Sequence, residues 1–351
     1  MEQTQNVQAQ KTHPKKLVSS LYIFSWMAAT SLCLSYFIYR NTSTFFSSDR
    51  PIHISHITLE KKKEFGGAPA VVRVGLTISE FRVFKMAQNE FVFDGVLWFK
   101  FDPSHISLAT LGQFSFDRGE IIYQSKPTTF LQNGNLFARY DIQVKFLTPL
   151  SYREFPLDDH QIVIALTYKN LSPSDLTFVV RDGDFVLIPN MESVGWGEYE
   201  HFAEAGYLSV GYSETDPDQK LNYPSVLFTI DYGRQGNVRN SMIILFPMLL
   251  LFFISLFSLI LDREKWFTTV ISLPTQTIAG LVGYRFVMEA MSPTVGYFMY
   301  SDYFFFLFLA LMFCVLLIHS VATHISVLVR QLIIAGFNGV IIAFSAYLLW
   351  S

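Results

Sequence analysis

The sequence predicts an all-β sandwich followed by a four-helix transmembrane bundle, with an extra transmembrane helix near the N-terminus. Three observations lead to this fold class. The 351 residues are 51% hydrophobic and only 16% charged, a composition far from that of an average soluble protein. Charged residues collect between Asp49 and Arg239, with apolar runs on both sides. Inside this region hydrophobic and polar residues alternate, which is typical of strands with one buried face.

The first apolar run extends from Leu17 to Tyr39 and follows several lysines. It is as long as the ~20 residues that a helix needs to cross a bilayer. The pattern predicts a signal-anchor helix at 17–39, with residues 1–16 as a cytoplasmic tail and residues 40–50 as a linker. A cleaved signal peptide is the alternative, although its hydrophobic core usually has only about 7–15 residues.

Residues 51–238 have the pattern of a β domain. Hydrophobic residues alternate with polar or small ones at Val72, Val74, Leu76 and Ile78. Similar runs recur along the chain as far as residue 230. Turn-forming Asn-Gly and Asp-Gly pairs separate the runs, as they do in antiparallel sheets. We therefore expect an immunoglobulin-like sandwich of antiparallel strands.

Residues 239–351 contain four apolar segments in close succession. Each is long enough to cross a bilayer as a helix, which satisfies its backbone hydrogen bonds in lipid. With the N-terminus inside, the β domain is extracellular or periplasmic, and the basic loop at Arg263 and Lys265 is inside, as the positive-inside rule requires. The segments are Met242–Leu261, Phe267–Ala290, Tyr303–Val321 and Val327–Trp350.

Composition also excludes several classes of protein. The net charge of −3 gives no basic surface for nucleic acid. Only two cysteines occur, and both lie in apolar runs, so they indicate neither a disulfide framework nor a cysteine metal site. The common motifs of hydrolases, metalloproteases and nucleotide-binding enzymes do not occur in a suitable context. We expect no enzymatic activity, no cofactor and no metal site.

The string LSYREFPLDDHQ at Leu150–Gln161 lies in a long loop between two predicted strands. It resembles the signature loop of the pentameric ligand-gated ion channels, also called the Cys-loop receptor superfamily. That loop is built around an aromatic-Pro-x-Asp core, which Phe155, Pro156 and Asp158 match here.

The resemblance continues in the same order along all but the N-terminal part of the chain. YGRQGN resembles the family's entry to the membrane, and FPMLLLFFISLFSLIL its first transmembrane helix. Pro293, Tyr297 and Asp302 are spaced like its linker into the third helix. Thr148 and Ile162 stand where animal members carry two bridging cysteines, so the similarity is to the prokaryotic type.

This resemblance implies a homopentamer, in which the chain and four further copies of itself surround an ion pathway across the plasma membrane, here a bacterial inner membrane. Binding of a small ligand or of protons to the β domain would open the pathway. The sensing and gating parts would meet at Phe155, Pro156, Asp158 and Arg234.

The family binds its ligands with aromatic residues at the interface between subunits. Aromatic faces attract ammonium groups, so an amine is one candidate ligand, beside protons, metal ions and carboxylates. The aromatic residues that match by position are Phe116, Tyr168, Tyr212 and Tyr223.

The second apolar segment of the channel domain has a polar or small face. Its members recur every three or four residues, so a helix places them on one side. In lipid such a face must turn to water or to protein, and therefore either a pore or helix packing explains it. The predicted pore-lining residues are Thr268, Ser272, Gln276, Ala279, Gly283 and Phe286, the last as a candidate gate.

Charged residues near the outer end of this helix give a weak preference for cations. A ring of Glu289 side chains at the outer mouth would attract cations, although Arg285 stands one turn before it and an i,i+4 ion pair is the competing interpretation. Pro274 is expected to bend the helix. The alternative function is a non-conducting membrane sensor or scaffold of the same fold, with its helices packed solidly.

Overall fold

The computed structural model describes residues 13–49, 51–188, 195–212, 219–321 and 325–350. Most of the predicted cytoplasmic tail therefore lies outside the described residues. Contacts divide the chain into two compact units. The helical unit comprises Met1–Phe46, Tyr152–Asp158 and Gly236–Ser351, and the sheet unit comprises Ser47–Ser151 and Asp159–Gln235.

The sheet unit contains two β-sheets. Its strands are β1 (Ala70–Lys85), β2 (Glu90–Phe101), β3 (Ser115–Phe116), β4 (Gly119–Gln124), β5 (Thr128–Gln132), β6 (Asn135–Leu147), β7 (Asp159–Thr167), β8 (Leu176–Val179), β9 (Phe185–Leu187), β10 (Trp196–Gly211) and β11 (Lys220–Arg234). The larger sheet has seven strands, with the order β4-β6-β2-β1-β8, β5 beside β6 and β9 beside β1. The smaller sheet has the order β10-β11-β7-β3.

The larger sheet is mixed, and the predicted immunoglobulin-like antiparallel sandwich is therefore wrong. β1 pairs in parallel with β8, where Val72 faces Phe178, and with β9, where Leu76 faces Phe185. Its pairing with β2 is antiparallel. Alternation along a strand determines which side chains are buried, but it carries no information on the direction of the neighbouring strand.

Aromatic side chains fill the space between the two sheets. The ring centroids of Phe93 and Phe116 are 6.3 Å apart, and those of Phe84 and Tyr232 are 5.2 Å apart. Each pair joins one sheet to the other in an edge-to-face arrangement, which adds about 0.5–1.5 kcal/mol to the stabilisation from burial. The core of the sheet unit thus lies between the sheets.

The chain also contains seven α-helices among its described residues. Two are short and belong to the sheet unit, which also has a 3₁₀ turn at Met86–Gln88. The helices are α1 (His13–Thr42), α2 (Leu59–Phe65), α3 (Leu108–Leu111), α4 (Asn237–Phe257), α5 (Arg263–Met291), α6 (Tyr300–Val321) and α7 (Val327–Trp350).

Four helices in the described part of the chain are long and apolar enough to cross a membrane, which makes the chain a membrane protein. They are α1, α4, α6 and α7, so only three of the C-terminal helices qualify, and the predicted four-helix transmembrane bundle is wrong. The exception is α5, which is less apolar because its middle part contains threonine, serine, glutamine, proline and glycine residues; its charged residues lie nearer its two ends.

The first and last of these helices pack against each other. The hydroxyl of Thr30 in α1 donates a hydrogen bond of 2.6 Å to the side-chain oxygen of Asn338 in α7, and both side chains are fully buried. The Asn338 amide donates in turn to the carbonyl of Ile334 at 2.8 Å. A buried polar pair in this position gives the two helices a fixed register.

Helix α5 packs against α4 and α6. The hydroxyl of Tyr284 donates to the carbonyl of Ile243 in α4 at 2.6 Å. Backbone angles in α5 depart from helical values at Trp266, rather than at Pro274 where the sequence predicts a bend. The Thr275 hydroxyl donates to the carbonyl of Ile271 at 2.9 Å, which supports the backbone beside the proline.

Candidate functional site

The loop Tyr152–Asp158, which carries the aromatic-Pro-x-Asp core, is tightly folded and belongs to the helical unit. The backbone N–H of Phe155 donates to the carbonyl of Tyr152 at 3.1 Å, and that of Leu157 to the carbonyl of Glu154 at 2.8 Å. Phe155, Pro156 and Leu157 are all buried. We call this segment the coupling loop, after the role that the sequence resemblance predicts for it.

The coupling loop is bound to the start of α6. Its Tyr152 N–H donates to the hydroxyl of Tyr297 at 2.8 Å. In return, the N–H of Tyr300 donates to the Arg153 carbonyl at 2.9 Å, and that of Ser301 to the Phe155 carbonyl at 3.1 Å. The Arg153 guanidinium also lies 5.7 Å from the centre of the Tyr297 ring. Three hydrogen bonds therefore join the loop to the linker and to the first residues of α6.

The two charged residues of the predicted coupling pair belong to different units. Asp158, in the helical unit, is 1% exposed. Arg234, in the sheet unit, lies over the ring of Trp196 with its guanidinium carbon 4.5 Å from the ring centre. An interaction between Asp158 and Arg234 stays a prediction.

The predicted pore-lining residues lie on the exposed face of α5. Thr268, Gln276, Ala279, Gly283 and Phe286 are exposed, and Phe286 reaches 72%. Ser272 is half-buried. The buried side chains of this helix alternate with them and lie on the opposite face, and they are Val270, Pro274, Thr277, Leu281 and Met288.

Arg285 pairs with Asp302 at the start of α6 instead of with Glu289 in its own helix. The Asp302 side chain is 3% exposed and also accepts the backbone N–H of Met299 at 2.9 Å. Arg285 lies 5.5 Å from the centre of the Phe305 ring. The ion pair fastens α5 to α6 and leaves Glu289 exposed, with no ion pair to another described residue.

An open cavity of about 410 Å³ lies beside this ion pair. Its wall includes the linker between α5 and α6, so the tyrosine that holds the coupling loop also borders the cavity. The polar and aromatic members of the wall include Arg285, Glu289, Ser292, Tyr297, Phe298 and Asp302.

The four aromatic ligand candidates differ in exposure. Phe116 and Tyr168 are 4% and 1% exposed and belong to the core of the sheet unit. Burial, with a smaller contribution from Tyr140, raises the pKa of Tyr168 well above its ordinary value, and its hydroxyl donates to the carbonyl of Leu111. Tyr212 is 62% exposed, and Tyr223 is half-buried. Only the latter two offer surface to a ligand in this chain.

Sequence reasoning missed an interaction within the sheet unit, between Asp49 and His160. Their side chains are 2% and 0% exposed, and His160 Nδ1 lies 3.2 Å from the Asp49 carboxylate. The ring of His160 also lies 5.0 Å from that of Trp196. The loop motif itself contains His160, but no pattern in the predicted linker at 40–50 indicated Asp49.

The described residues contain no group of three or more His, Cys, Asp or Glu side chains that could hold a metal ion. Comparison of the chain with protein-family models finds no match, and comparison with curated proteins finds none either.

Proposed function

We propose that this chain is one subunit of a pentameric ligand-gated ion channel of the prokaryotic type. Five copies surround a central path for ions in the bacterial inner membrane, and the sheet unit faces the periplasm. A small ligand or protons act on the sheet unit. Binding opens the path only to the extent that the ligand has a higher affinity for the open form.

The observation that supports this proposal is the division of α5 into two faces. One face is buried against α4 and α6, and the other exposes Thr268, Gln276, Ala279 and Gly283. Polar groups that face hydrocarbon are costly, whereas the same groups are favourable next to water. A helix that lines a water-filled path can therefore be less apolar than the spans around it, as α5 is.

Contacts within the helical unit give a route from the coupling loop to α5. The loop is hydrogen-bonded to Tyr297 and Ser301. One residue later, Asp302 holds Arg285 of α5. A shift of the loop would thus reach the pore-lining helix through one short linker and one ion pair.

Selectivity for cations follows from Glu289 in this proposal. The side chain is exposed near the C-terminal end of α5, and five copies would form an acidic ring that attracts cations. Arg285 does not oppose this effect strongly, because Asp302 neutralises it.

Cysteine accessibility tests the pore. In a chain whose two native cysteines, Cys33 and Cys314, are replaced by alanine, Gln276→Cys should react with a charged, water-soluble thiol reagent under activating conditions. Two matched variants should stay unreacted. The first is Thr277→Cys, because Thr277 is adjacent to Gln276 but only 4% exposed. The second is Leu332→Cys, because Leu332 is 63% exposed but lies in a candidate membrane span.

Reaction of Gln276→Cys alone would support a water-filled path along α5. If Gln276→Cys stays unreacted over a panel of ligands and pH values, the non-conducting sensor or scaffold becomes the better hypothesis. Native mass spectrometry of the purified protein gives the subunit number independently, and a stable monomer or dimer would contradict a central pore.

A further inference from the structure

An extended segment, residues 47–49 and 51–55, lies along the smaller sheet of the sheet unit. We call it the strap. Two of its side chains are half-buried against a hydrophobic cluster on β7 and β11, away from the aromatic core. The strap contributes Ile52 and Ile54, and the sheet contributes Val163, Ala165 and Leu227.

One end of the strap is joined to β10 by backbone hydrogen bonds. Ser55 and Tyr207 each donate to the carbonyl of the other at 3.0 Å. The neighbouring residue in β10, Gly206, permits this approach, because a Cβ at that position would lie 2.4 Å from the Ser55 carbonyl oxygen. A glycine at the crossing point is what a close backbone approach requires.

The other end of the strap is held by Asp49. One of its carboxylate oxygens accepts the backbone N–H of Ser151, and the other accepts that of Gln161 at 2.9 Å. His160 Nδ1 lies 3.2 Å from the second oxygen, which accepts a hydrogen bond from the imidazole in the tautomer that carries its proton on Nδ1. The hydroxyls of Ser48 and Ser151 are also 3.0 Å apart.

Ser151 precedes the coupling loop, whereas His160 and Gln161 follow it. One buried carboxylate therefore holds both ends of the loop through two backbone amides and one imidazole. We infer that Asp49 is a positioning residue, and that the strap is a non-covalent clamp that fixes the ends of the coupling loop. The clamp goes beyond the proposed channel function and exists whether or not the protein conducts ions.

A cross-link tests the position of the strap in the full-length protein. Ser48→Cys with Ser151→Cys places two sulfur atoms where hydroxyl oxygens are 3.0 Å apart, close enough for a disulfide after a small adjustment. In the background without Cys33 and Cys314, mild oxidation should remove both free thiols. The control pair is Ser48→Cys with the exposed Ser104→Cys, which should keep both thiols.

Hydrogen–deuterium exchange with fragmentation to single residues tests the clamp itself. Asp49→Ala should accelerate exchange at the amides of Ser151 and Gln161 by about tenfold or more, because each amide loses its hydrogen-bond acceptor. Asp49→Asn retains one of the two acceptor oxygens and should affect one amide more than the other. Exchange in the central part of β11 should not change.

A matched pair of glycine variants separates the strap from general destabilisation. Gly206→Ala forces the strap away from β10 and should accelerate exchange at Ser151 and Gln161, although neither residue is altered. Gly211→Ala, in the same strand, has open space around its Cβ and should leave both amides unchanged.

The clamp is supported if the cross-link forms and if Asp49→Ala and Gly206→Ala act on the same two amides. Free thiols after oxidation of the Ser48 and Ser151 cysteine pair would overturn it. So would unchanged exchange at both amides in Asp49→Ala. Cross-linking and hydrogen–deuterium exchange do not detect current. A protein that conducts no ions would therefore contradict the channel proposal and leave the clamp unaffected.

Discussion

The backbone N–H of Tyr152 donates a hydrogen bond of 2.8 Å to the hydroxyl of Tyr297, which lies 145 residues further along the chain. This bond joins the coupling loop to the linker before α6. Its two neighbours, from Tyr300 and Ser301, use backbone groups on both sides, so only the tyrosine bond can be removed by a side-chain substitution.

Tyr297→Phe should weaken the attachment of the coupling loop. The variant removes the acceptor of the Tyr152 N–H and retains the ring beneath Arg153. A lost hydrogen bond of this kind should cost about 0.5–1.5 kcal/mol. Thermal unfolding in detergent measures the effect. Tyr303→Phe, an exposed tyrosine of α6, serves as the control, and an equal loss of stability in both variants would contradict the assigned role.

Arg285→Gln should destabilise the helical unit more than Glu289→Gln. Removal of Arg285 leaves the buried Asp302 carboxylate without its cation. Breaking a fully buried ion pair costs about 3–5 kcal/mol, and because Arg285 is 32% exposed we expect about 2 kcal/mol. Thermal unfolding of both variants measures the difference. The double variant Arg285→Gln with Asp302→Asn should recover part of the loss, and its failure to do so would show that the charges do not depend on each other.

Thr30→Val should loosen α1 from α7. The substitution keeps the shape of the side chain and leaves the Asn338 oxygen without the Thr30 hydroxyl. Polar pairs between membrane helices contribute about 0.6 kcal/mol on average and up to about 1.7 kcal/mol. A double-mutant cycle with Asn338→Leu measures the coupling, and Thr44→Val, at an exposed position beyond α1, is the control. A coupling energy of zero would mean that the pair does not hold the helices together.

Asp231→Asn should stabilise the sheet unit, and more so at neutral than at acidic pH. Burial raises the pKa of the Asp231 carboxyl above its ordinary value, against a lowering by the Gln161 hydrogen bond and with a further rise from Glu200. The folded chain thus holds this proton more tightly than the unfolded chain, and the associated stability, present in acid, is lost as the pH rises through the folded-state pKa.

Asparagine removes this titration and still offers an oxygen to the Gln161 amide, which donates to Asp231 at 2.9 Å. Melting temperatures of the variant and the parent, measured from pH 4 to pH 8, give the test. The exposed Asp141→Asn is the control. A difference between variant and parent that is independent of pH would contradict the burial argument.

The sequence predicts those parts of this protein that depend on local composition. Apolar length alone locates α1, α4, α6 and α7, and alternation locates the long strands. The same reasoning also counts α5 as a span, although α5 is less apolar than the other four helices and contains Arg285 and Glu289.

Relationships between distant residues were not predictable from the sequence. Parallel pairing of β8 and β9 with β1 depends on how long connections fold back, and alternation does not encode it. Arg285 has an acid one turn away, yet its partner is Asp302 on the next helix. Asp49 lies 102 residues before Ser151, and a single aspartate in a linker carries no local signal.

The buried bond between Thr30 and Asn338 joins residues 308 positions apart, and it has a consequence for biosynthesis. A ribosome makes the chain from its N-terminus, so Thr30 enters the membrane long before its partner exists. Helix α1 therefore lacks this partner until residue 338 has been translated, and contacts of such long sequence separation form late. A nascent chain halted before residue 338 would lack the Asn338 partner of the Thr30 hydroxyl. Helix α1 therefore reaches its final packing only after α7 has been made.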